Sequence, residues 1–216
     1  MNYKLLFGFF WMLVLGCGSP GLDQQVDERL QHQIRSGPPE LVEKLRPWYE
    51  KLRVDPLDKV TFNNIGDLYF QYEMMEDARL MFDFAIRIDS TYVPALFNLS
   101  VIEMREKKFQ SGVDLLFRVL KVDPNHIRAI TNLSDYYYKT GQFNKALEFT
   151  SLAFNLQSDN SQMAYNLAVI YLALEDSVMG KAYLEKALQL DPRNQTAQQR
   201  LNMILYENQP HSGPKP

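Results

Sequence analysis

The amino-acid sequence predicts an all-α fold, in which antiparallel helix pairs stack into an α-solenoid. The chain repeats itself four times at a spacing of 34 residues and without a gap, in the units 59–92, 93–126, 127–160 and 161–194. Within each unit, apolar residues recur at helical spacing in two separate stretches. Such a period is typical of arrays whose neighbouring units share one core, because a single unit cannot bury its own apolar face.

Two columns of the repeat hold only small side chains, and small side chains allow two helices to cross closely. The eighth column contains Gly66, Ser100, Ser134 and Ala168, and the twentieth contains Ala78, Gly112, Ala146 and Gly180. The segment GKAYLEKALQLDPRN, residues 180–194, resembles the second helix of the tetratricopeptide repeat, and the columns of 59–194 resemble that family throughout. The resemblance implies a superhelix of stacked helix pairs whose concave groove binds a protein or peptide segment.

Some residues depart from the columns without changing the register. Glu103 stands in the eleventh column, where the other units have Tyr, and Thr150 replaces a large apolar residue in the twenty-fourth column. Ser90 and Ser158 replace the Pro of the thirty-second column. The fold prediction does not depend on these positions.

The first sixteen residues have the layout of a signal peptide: a charged start with Lys4, an apolar run over 5–15, and the small residue Gly16. Residues 14–17, Val-Leu-Gly-Cys, resemble the lipobox of bacterial lipoproteins. That resemblance implies cleavage after residue 16 and lipid on the sulfur and amino group of Cys17, which is the single cysteine of the sequence. The alternatives are a plain secretory signal and a short membrane anchor, although spanning a bilayer takes about 20 apolar residues.

The lipoprotein resemblance also implies a location. The chain would be anchored in the bacterial cell envelope through Cys17, and Gly18 after the lipidated cysteine favours the outer membrane, facing the periplasm. Residues 17–21 are interpreted as a tether. Residues 22–58 are interpreted as a degenerate helical pair that caps the array, and Pro47 is predicted to kink or break its second helix.

The C-terminal part continues the repeat pattern for one more helix. Residues 195–207 are in phase with the first helices of the repeats and are interpreted as a capping helix. Residues 208–216 are polar and contain Pro, which predicts a disordered tail. The formal net charge of −3 provides no basic face for nucleic acid.

No pattern in the sequence indicates chemistry. The three histidines are scattered, and none lies in a metal-ligand spacing such as HExxH. Neither a Gly-rich phosphate loop nor a GxSxG serine is present. The sequence therefore predicts no catalytic, cofactor or metal site, and a protein that is not an enzyme. Asn98 and Asn132 match the glycosylation pattern, but they stand in a column that is often Asn in this family and are interpreted as structural.

The resemblance to tetratricopeptide repeats implies which side chains line the groove. In that family they come from positions 2, 5, 9, 12 and 13 of each unit, and aromatic residues, Met and Arg are enriched at interface cores. The capping helix adds Met203 and Tyr206. We expect the side chains to be exposed, so that truncating them leaves the fold intact; the alternative is that some pack against neighbouring helices. The candidate partner-binding residues are Phe70, Phe97, Met104, Arg105, Arg128, Tyr138, Lys139 and Tyr165.

One known groove chemistry does not fit the sequence. Members of the family that bind chaperones hold a peptide C-terminal carboxylate with Lys, Arg and Asn side chains at set positions. Here those positions hold Asn63, Asp67, Asn98, Arg128 and Asn132. Only Asn98 and Arg128 match, and the carboxylate of Asp67 would repel another carboxylate. The groove is instead mixed apolar and aromatic, which suits an extended segment or a partner helix.

Taken together, the sequence predicts a lipid-anchored adaptor or scaffold of the bacterial cell envelope, active in assembling an envelope complex such as a pilus or cell-wall machinery. Its predicted partners are a protein or peptide in the groove and the membrane through Cys17, with no nucleic acid. A second hypothesis is a periplasmic carrier or holdase that binds unfolded segments or small ligands. A third is an enzyme whose site leaves no recognisable pattern.

Overall fold

A computed structural model describes residues 38–207, which form ten α-helices and contain no β-strand. This confirms the all-α helical-repeat fold. Residues 1–37 and 208–216 lie outside the described residues. They include the predicted signal peptide 1–16, the tether 17–21 with Cys17, residues 22–37 of the predicted helical pair 22–58, and the predicted tail 208–216. The helices are α1 Pro39–Val54, α2 Lys59–Gln71, α3 Met75–Ile88, α4 Val93–Arg105, α5 Phe109–Val122, α6 Ile127–Lys139, α7 Phe143–Leu156, α8 Ser161–Ala173, α9 Ser177–Leu190 and α10 Gln195–Glu207.

The helix bounds follow the 34-residue period. The first helix of each unit covers positions 1–13, and the second covers positions 17–30. The residue before position 1 caps the first helix in several units, because its side chain accepts hydrogen bonds from backbone N–H groups that have no helical partner. Asp58 accepts from the N–H groups of Val60 and Thr61, Asn160 accepts from those of Gln162 and Met163, and Nδ1 of His126 accepts from the N–H of Ala129.

The turn inside every unit has a left-handed residue at position 15. Glu73, Lys107, Gly141 and Glu175 have φ of 59°, 62°, 74° and 63°. In each case the N–H of position 16 donates to the carbonyl oxygen of position 11, as from Gln142 to Tyr137 at 2.8 Å. This is the Schellman arrangement that ends many helices, and it favours Gly at the left-handed position. Only the third unit has Gly there.

The turn after the second helix explains why Ser90 can replace Pro in the first repeat. The carboxylate of Asp89 accepts from the N–H of Thr91 at 2.9 Å, although Ser90 stands between them. Asp123 makes the same bond to Asn125 at 3.2 Å across Pro124. Because the Asp side chain closes this turn in both cases, the turn forms with Ser as well as with Pro.

The chain divides into two compact units at residue 102, which lies within α4. In the first unit, α1 packs against α2, and their buried tyrosines Tyr49 and Tyr69 share a hydrogen bond of 2.8 Å between the hydroxyls. Pro47 lies inside α1, which continues past it without a break. The core residues of this unit include Leu41, Leu45, Leu52, Phe62, Ile65, Met81, Phe82, Phe84, Leu96 and Ile102.

In the second unit, the helices α8, α9 and α10 share one core cluster. Tyr171 of α8 stacks on Tyr183 of α9, with ring centroids 5.4 Å apart, and Tyr137 of α6 stacks on Phe149 of α7 at 5.6 Å. These pairs join positions 11 and 23 of a repeat, so aromatic stacking fastens the two helices of the third and fourth repeats. The buried members of the α8–α10 cluster are Ala164, Ala168, Leu184, Ala187, Ala197, Leu201 and Ile204.

Candidate functional site

Each first helix carries a candidate interaction surface at its positions 2, 5, 9, 12 and 13, here called the first-helix face. Its side chains at position 2 are exposed in all five first helices, as are those at position 13 in α2, α4 and α6. Position 5 varies, from buried Asn63 in α2 to exposed Gln199 in α10. Each first helix therefore presents an exposed side chain near its start, and α2, α4 and α6 also present one at their end, while position 5 between them is buried in α2 and α4.

Phe97, at position 5 of α4, is buried, contrary to the prediction from the sequence. Its side chain is 3% exposed and belongs to the core of the first unit. The expectation that Phe97 presents an exposed ring is therefore wrong. The physical reason is that α4 contributes Ala95, Leu96 and Phe97 to the core as a consecutive run, so its buried stripe is wider than that of a two-sided amphipathic helix.

Four of the other candidates are exposed: Arg105, Arg128, Tyr138 and Lys139. The ring of Tyr138 is 38% exposed and rests against Phe143, with the centroids 5.6 Å apart. This contact holds one side of the ring and leaves the remainder available. Of the four residues, Tyr138 combines a large contact area with a restrained side chain, as binding hot spots do.

Phe70, Met104 and Tyr165 are half-buried. A Cβ atom placed on Gly112 would lie 2.8 Å from Cγ of Met104, so the Met104 side chain covers the backbone of α5 at that glycine. Leu172 covers Gly180 in the same way. Position 12 is thus used in part for packing the helices of a repeat, and Met104 contributes less free surface than its residue type suggests.

A polar lattice lies on the first-helix face of the first unit. The Asp67 carboxylate accepts from Nδ2 of Asn63 at 3.0 Å and from Nδ2 of Asn98 at 2.7 Å. Nδ2 of Asn98 is also 3.2 Å from Oδ1 of Asn63. Because a carboxylate only accepts, it orients both amides with their N–H groups toward it and leaves Oδ1 of Asn98 as an acceptor.

This lattice matters for the kind of partner. A peptide carboxylate needs donors, whereas the lattice offers the side-chain oxygens of Asp67 and an amide oxygen. The geometry agrees with the rejection of a carboxylate clamp. The lattice was not predicted from the sequence. The signal for it there is the pair Asn63 and Asp67, four residues apart on one helix, together with an Asn at the same level of the next repeat.

Beside the lattice, Lys59 pairs with Asp89 and lies over the ring of Tyr92, 5.2 Å from its centroid. Hydrogen bonds from Lys59 and from Thr91 lower the pKa of Asp89 to about 2. Burial raises the pKa of Tyr92, against the opposing charge of Lys59. These groups join the start of α2 to the turn before α4, and thereby hold two first helices of the unit in register.

Within residues 38–207, no group of three or more His, Cys, Asp or Glu side chains is arranged to hold a metal ion. No helix in that range is long and apolar enough to cross a membrane.

Comparison with known proteins finds a family that matches one unit of the array. Residues 161–194 match the profile of a family described as tetratricopeptide repeat. The match covers the fourth unit from its first residue to its last. The chain is also similar to the human protein O-mannosyl-transferase TMTC3, with 25% identity over 174 residues, which are 74% of this chain and 18% of the relative. The Drosophila melanogaster protein O-mannosyl-transferase Tmtc3 is 23% identical over 173 residues, 77% of this chain and 19% of the relative.

This chain therefore spans less than a fifth of the length of these two curated relatives.

Among solved structures, MamA has a TM-score of 0.63 at 17% identity, with 81% of this chain and 94% of that chain covered. YrrB, a tetratricopeptide protein with an unusual peptide-binding site, has a TM-score of 0.63 at 20% identity and coverages of 76% and 84%. Pseudomonas aeruginosa PilF has 0.59 at 21% identity, with coverages of 69% and 68%.

These structural likenesses show the fold. The first-helix faces are the surfaces on which the sequence predicts a partner.

Proposed function

We propose that this chain is a protein-interaction adaptor that holds a protein or peptide partner on its first-helix faces, anchored in the bacterial cell envelope by lipid on Cys17. The supporting observation is the separation of roles along the first helices. Their fourth and seventh positions are buried in every repeat, whereas Arg128, Tyr138 and Lys139 stand exposed on one face of α6. A surface that carries aromatic and basic side chains above a closed core is suited to binding.

Photo-crosslinking in intact cells tests the partner-binding part. A photoreactive amino acid replaces Lys139 on the first-helix face or, as the matched control, Lys121, an exposed Lys on the second helix α5. We expect a discrete crosslinked species from position 139 and none from position 121. The adaptor proposal fails if neither position yields a specific product, or if only position 121 does.

The envelope part rests on the sequence around Cys17, and the outer membrane facing the periplasm is favoured by Gly18. In this proposal the adaptor acts in assembling an envelope complex, such as a pilus or cell-wall machinery. Growth with an alkyne fatty acid tests the anchor, since wild-type protein incorporates the label and Cys17→Ser does not. A wild-type chain without label would remove the lipid anchor from the proposal and leave the adaptor part standing.

A carrier or holdase is the alternative, and the exposed apolar side chains of Met203 and Tyr206 favour it, because they could contact many different apolar segments. Binding many unrelated unfolded peptides with similar affinity would support this alternative over the adaptor. A transferase role, as in the names of the two curated relatives, would require turnover that a single carboxylate substitution abolishes.

A further inference from the structure

The turn between the two helices of a repeat carries different charges in different repeats. Its left-handed residue, at position 15, is Glu73 in the first repeat, Lys107 in the second and Glu175 in the fourth, with φ of 59°, 62° and 63°. Since one backbone conformation holds residues of either sign, the turn itself does not require lysine. The positive charge of the second-repeat turn therefore has no explanation in the backbone geometry.

In the second unit, the starts of α5 and α7 both lie beside the last turn of α6. The ring centroid of Phe109, the first residue of α5, is 6.0 Å from that of Tyr136. Nζ of Lys145, in the first turn of α7, is 4.9 Å from the ring centroid of Tyr137. These contacts bring two basic segments together, and their exposed residues, here called the basic edge, are Lys107, Lys108, Phe109 and Lys145.

Basic residues outnumber acidic ones at the basic edge and beside it. Arg105 and Lys139, which belong to the first-helix faces of α4 and α6, border the edge and add to its positive potential. Glu106 is the one acidic residue within 105–108 and 139–145, and its carboxylate is 2.8 Å from Nζ of Lys108. The acidic turn of the fourth repeat, residues 175–176, ends the basic stretch. The next acidic residues along the chain are the buried Glu103 and the exposed Asp114, Asp135 and Glu148.

The lysines at the starts of α5 and α7 are unfavourable for these helices. Lys108 is the N-cap of α5 without a side-chain capping bond, Lys145 lies in the first turn of α7, and neither first turn contains an acidic residue. A helix N-terminus carries partial positive charge, so it repels cations and attracts anions. The other two second helices follow the usual pattern, since α3 has two acidic residues in its first turn and Asp176 caps α9. An external anion would relieve the repulsion at the basic edge.

An exposed aromatic ring lies among these charges. The side chain of Phe109 is 46% exposed and follows Lys107 and Lys108 directly in the chain. Rings beside basic residues are typical of surfaces that contact a bilayer, because the ring enters the interfacial layer while the ammonium groups meet lipid phosphates. The charges and the ring occupy a turn and two helix starts rather than the length of a helix. This arrangement suits a flat bilayer better than an extended acidic segment.

We infer that the basic edge of the second unit rests on the anionic headgroups of a lipid bilayer, with Phe109 at headgroup level. This inference rests on the proposed lipid anchor, which brings the chain to a bilayer, and it names a second contact with that bilayer. A lipid chain together with a basic surface is a combination that holds proteins on membranes. The contact orients the second unit, because the starts of α5 and α7 face the bilayer and their ends point away from it.

Flotation with lipid vesicles tests the contact on the full chain carrying Cys17→Ser, which lacks the proposed lipidation site. Vesicles of phosphatidylcholine are compared with vesicles that also contain about 30 mol% phosphatidylglycerol and therefore have a negative surface potential. The apolar run 5–15 is present in every sample and contributes alike to both. We expect at least about fivefold tighter binding to the anionic vesicles at about 50 mM salt, and most of this difference should disappear at about 500 mM.

Charge variants locate the contact. Lys107→Gln with Lys108→Gln should weaken binding to the anionic vesicles by about tenfold or more, because each basic residue near such a surface contributes about fivefold. Lys121→Gln with Arg193→Gln is the matched control, since both residues are exposed in the second unit away from the basic edge. This pair removes the same charge and should change binding by less than about twofold. Circular dichroism checks the fold, and if the first pair loses helicity, Lys107→Gln alone replaces it.

A fluorescent label tests the orientation. In the Cys17→Ser chain, the label is attached to Phe109→Cys at the start of α5 or to Asn125→Cys in the turn that follows this helix. The helix has 14 residues, so its ends are about 20 Å apart. A quencher on the lipid headgroups should quench the label at position 109 and leave the label at position 125 unaffected.

The inference is overturned if the chain binds both kinds of vesicle equally, if the Lys107 and Lys108 variant binds normally, if the control pair weakens binding as much, or if the label at position 125 is the one quenched. Binding of a soluble Glu-rich peptide without binding to anionic vesicles would assign the basic edge to an acidic protein segment and would also overturn it. Failure of the proposed anchor gives a different result, since wild-type protein would then incorporate no fatty-acid label while vesicle binding by the Cys17→Ser chain is unchanged.

Discussion

The hydroxyl groups of Ser134 and Thr150 are hydrogen-bonded to each other inside the core of the second unit, where both side chains are buried. They occupy positions 8 and 24 of the third repeat, where α6 crosses α7. The first repeat has Gly66 and Phe82 at this crossing, and a Cβ on Gly66 would lie 2.5 Å from the Phe82 ring. The fourth repeat has Ala168 and Leu184 in one core cluster. In these three repeats, a smaller residue at position 8 goes with a larger residue at position 24, while the second repeat has Ser100 and Leu116 at these positions.

This matching predicts coupling between the two positions. Thr150→Leu alone should destabilise the chain, because the larger side chain enters a filled core and removes the hydroxyl partner of Ser134. Adding Ser134→Ala recreates the pair found in the fourth repeat and should recover about 1 kcal/mol or more. Urea unfolding of the wild type, both single variants and the double variant measures the coupling.

Ser134→Ala alone serves as the control in this cycle. Thr150 retains its bond of 2.8 Å to the carbonyl of Ala146, so this change should cost less than about 1 kcal/mol. Strictly additive effects of the two substitutions would contradict the size-matching account of the crossing.

Gly141 allows a test of backbone strain without steric effects. Its φ is 74°, and a Cβ added there meets no atom within 4 Å. Gly141→Ala should therefore lower the free energy of unfolding by about 1 kcal/mol, through the left-handed backbone alone. Lys107→Ala is the matched control, because Lys107 already has a Cβ at φ 62° and should change by less than about 0.5 kcal/mol. An equal loss in both variants, measured by urea unfolding, would remove the backbone explanation.

Asp58 makes the stability of the first unit depend on acid pH. Burial would raise its pKa, but hydrogen bonds from Lys51 and from Thr61 outweigh burial and lower the pKa to about 2. The unfolded chain has the ordinary value of 3.8. Because the folded pKa is the lower one, the contribution is complete above pH about 4 and is lost as the pH falls from there toward about 2.

We therefore expect Asp58→Asn to flatten the dependence of unfolding free energy on pH between about 4 and 2, while changing its slope little at neutral pH. Denaturant titrations at a series of pH values measure this slope. Lys51→Met tests the cause separately, since loss of the ion pair of 2.7 Å should raise the pKa of Asp58 as followed by NMR. An Asp58 pKa that is unaffected by Lys51→Met would rule out the ion pair as a cause.

The fold was predictable from the sequence because the signal is repeated. Four units with small residues at positions 8 and 20 locate the helix crossings, and the first helices begin at Lys59, Val93, Ile127 and Ser161, where the units begin. The hydrogen bonding between two polar side chains inside the core was not predictable in this way. Thr150 departs from the apolar residues of its column because its hydroxyl is hydrogen-bonded to that of Ser134, sixteen residues earlier. A comparison of one column at a time cannot detect this, since the two residues stand in different columns.

The candidate site was predictable only in part, because position 5 has no constant environment. At this position the side chain of Phe97 is buried, that of Tyr165 is half-buried and that of Gln199 is exposed. Which side of a first helix is covered depends on the neighbouring repeat, and this information lies outside the unit being read. Position 2 is exposed in all five first helices, so its exposure can be predicted from the repeat alone.

Glu103 illustrates the same difficulty at position 11. It is buried, and it makes a polar interaction within the chain. In the third and fourth repeats the Tyr of this column stacks on an aromatic residue at position 23, whereas the second repeat has Leu115 there. A Tyr at position 103 would therefore lack the stacking partner that Tyr has in the third and fourth repeats.

The last prediction separates the exposed from the buried members of the candidate site. Tyr138→Ala should abolish most of the partner crosslinking from position 139, at normal helicity and with a small change in melting temperature, because its ring is partly exposed. Phe97→Ala should instead lower the free energy of unfolding by about 3–5 kcal/mol, since the whole ring is buried. Circular dichroism melts and crosslinking yields, measured on the same preparations, distinguish the two effects. Undiminished crosslinking in Tyr138→Ala would place the interface on the second helices or the terminal segments, and a collapse of helicity in that variant would assign Tyr138 to the core.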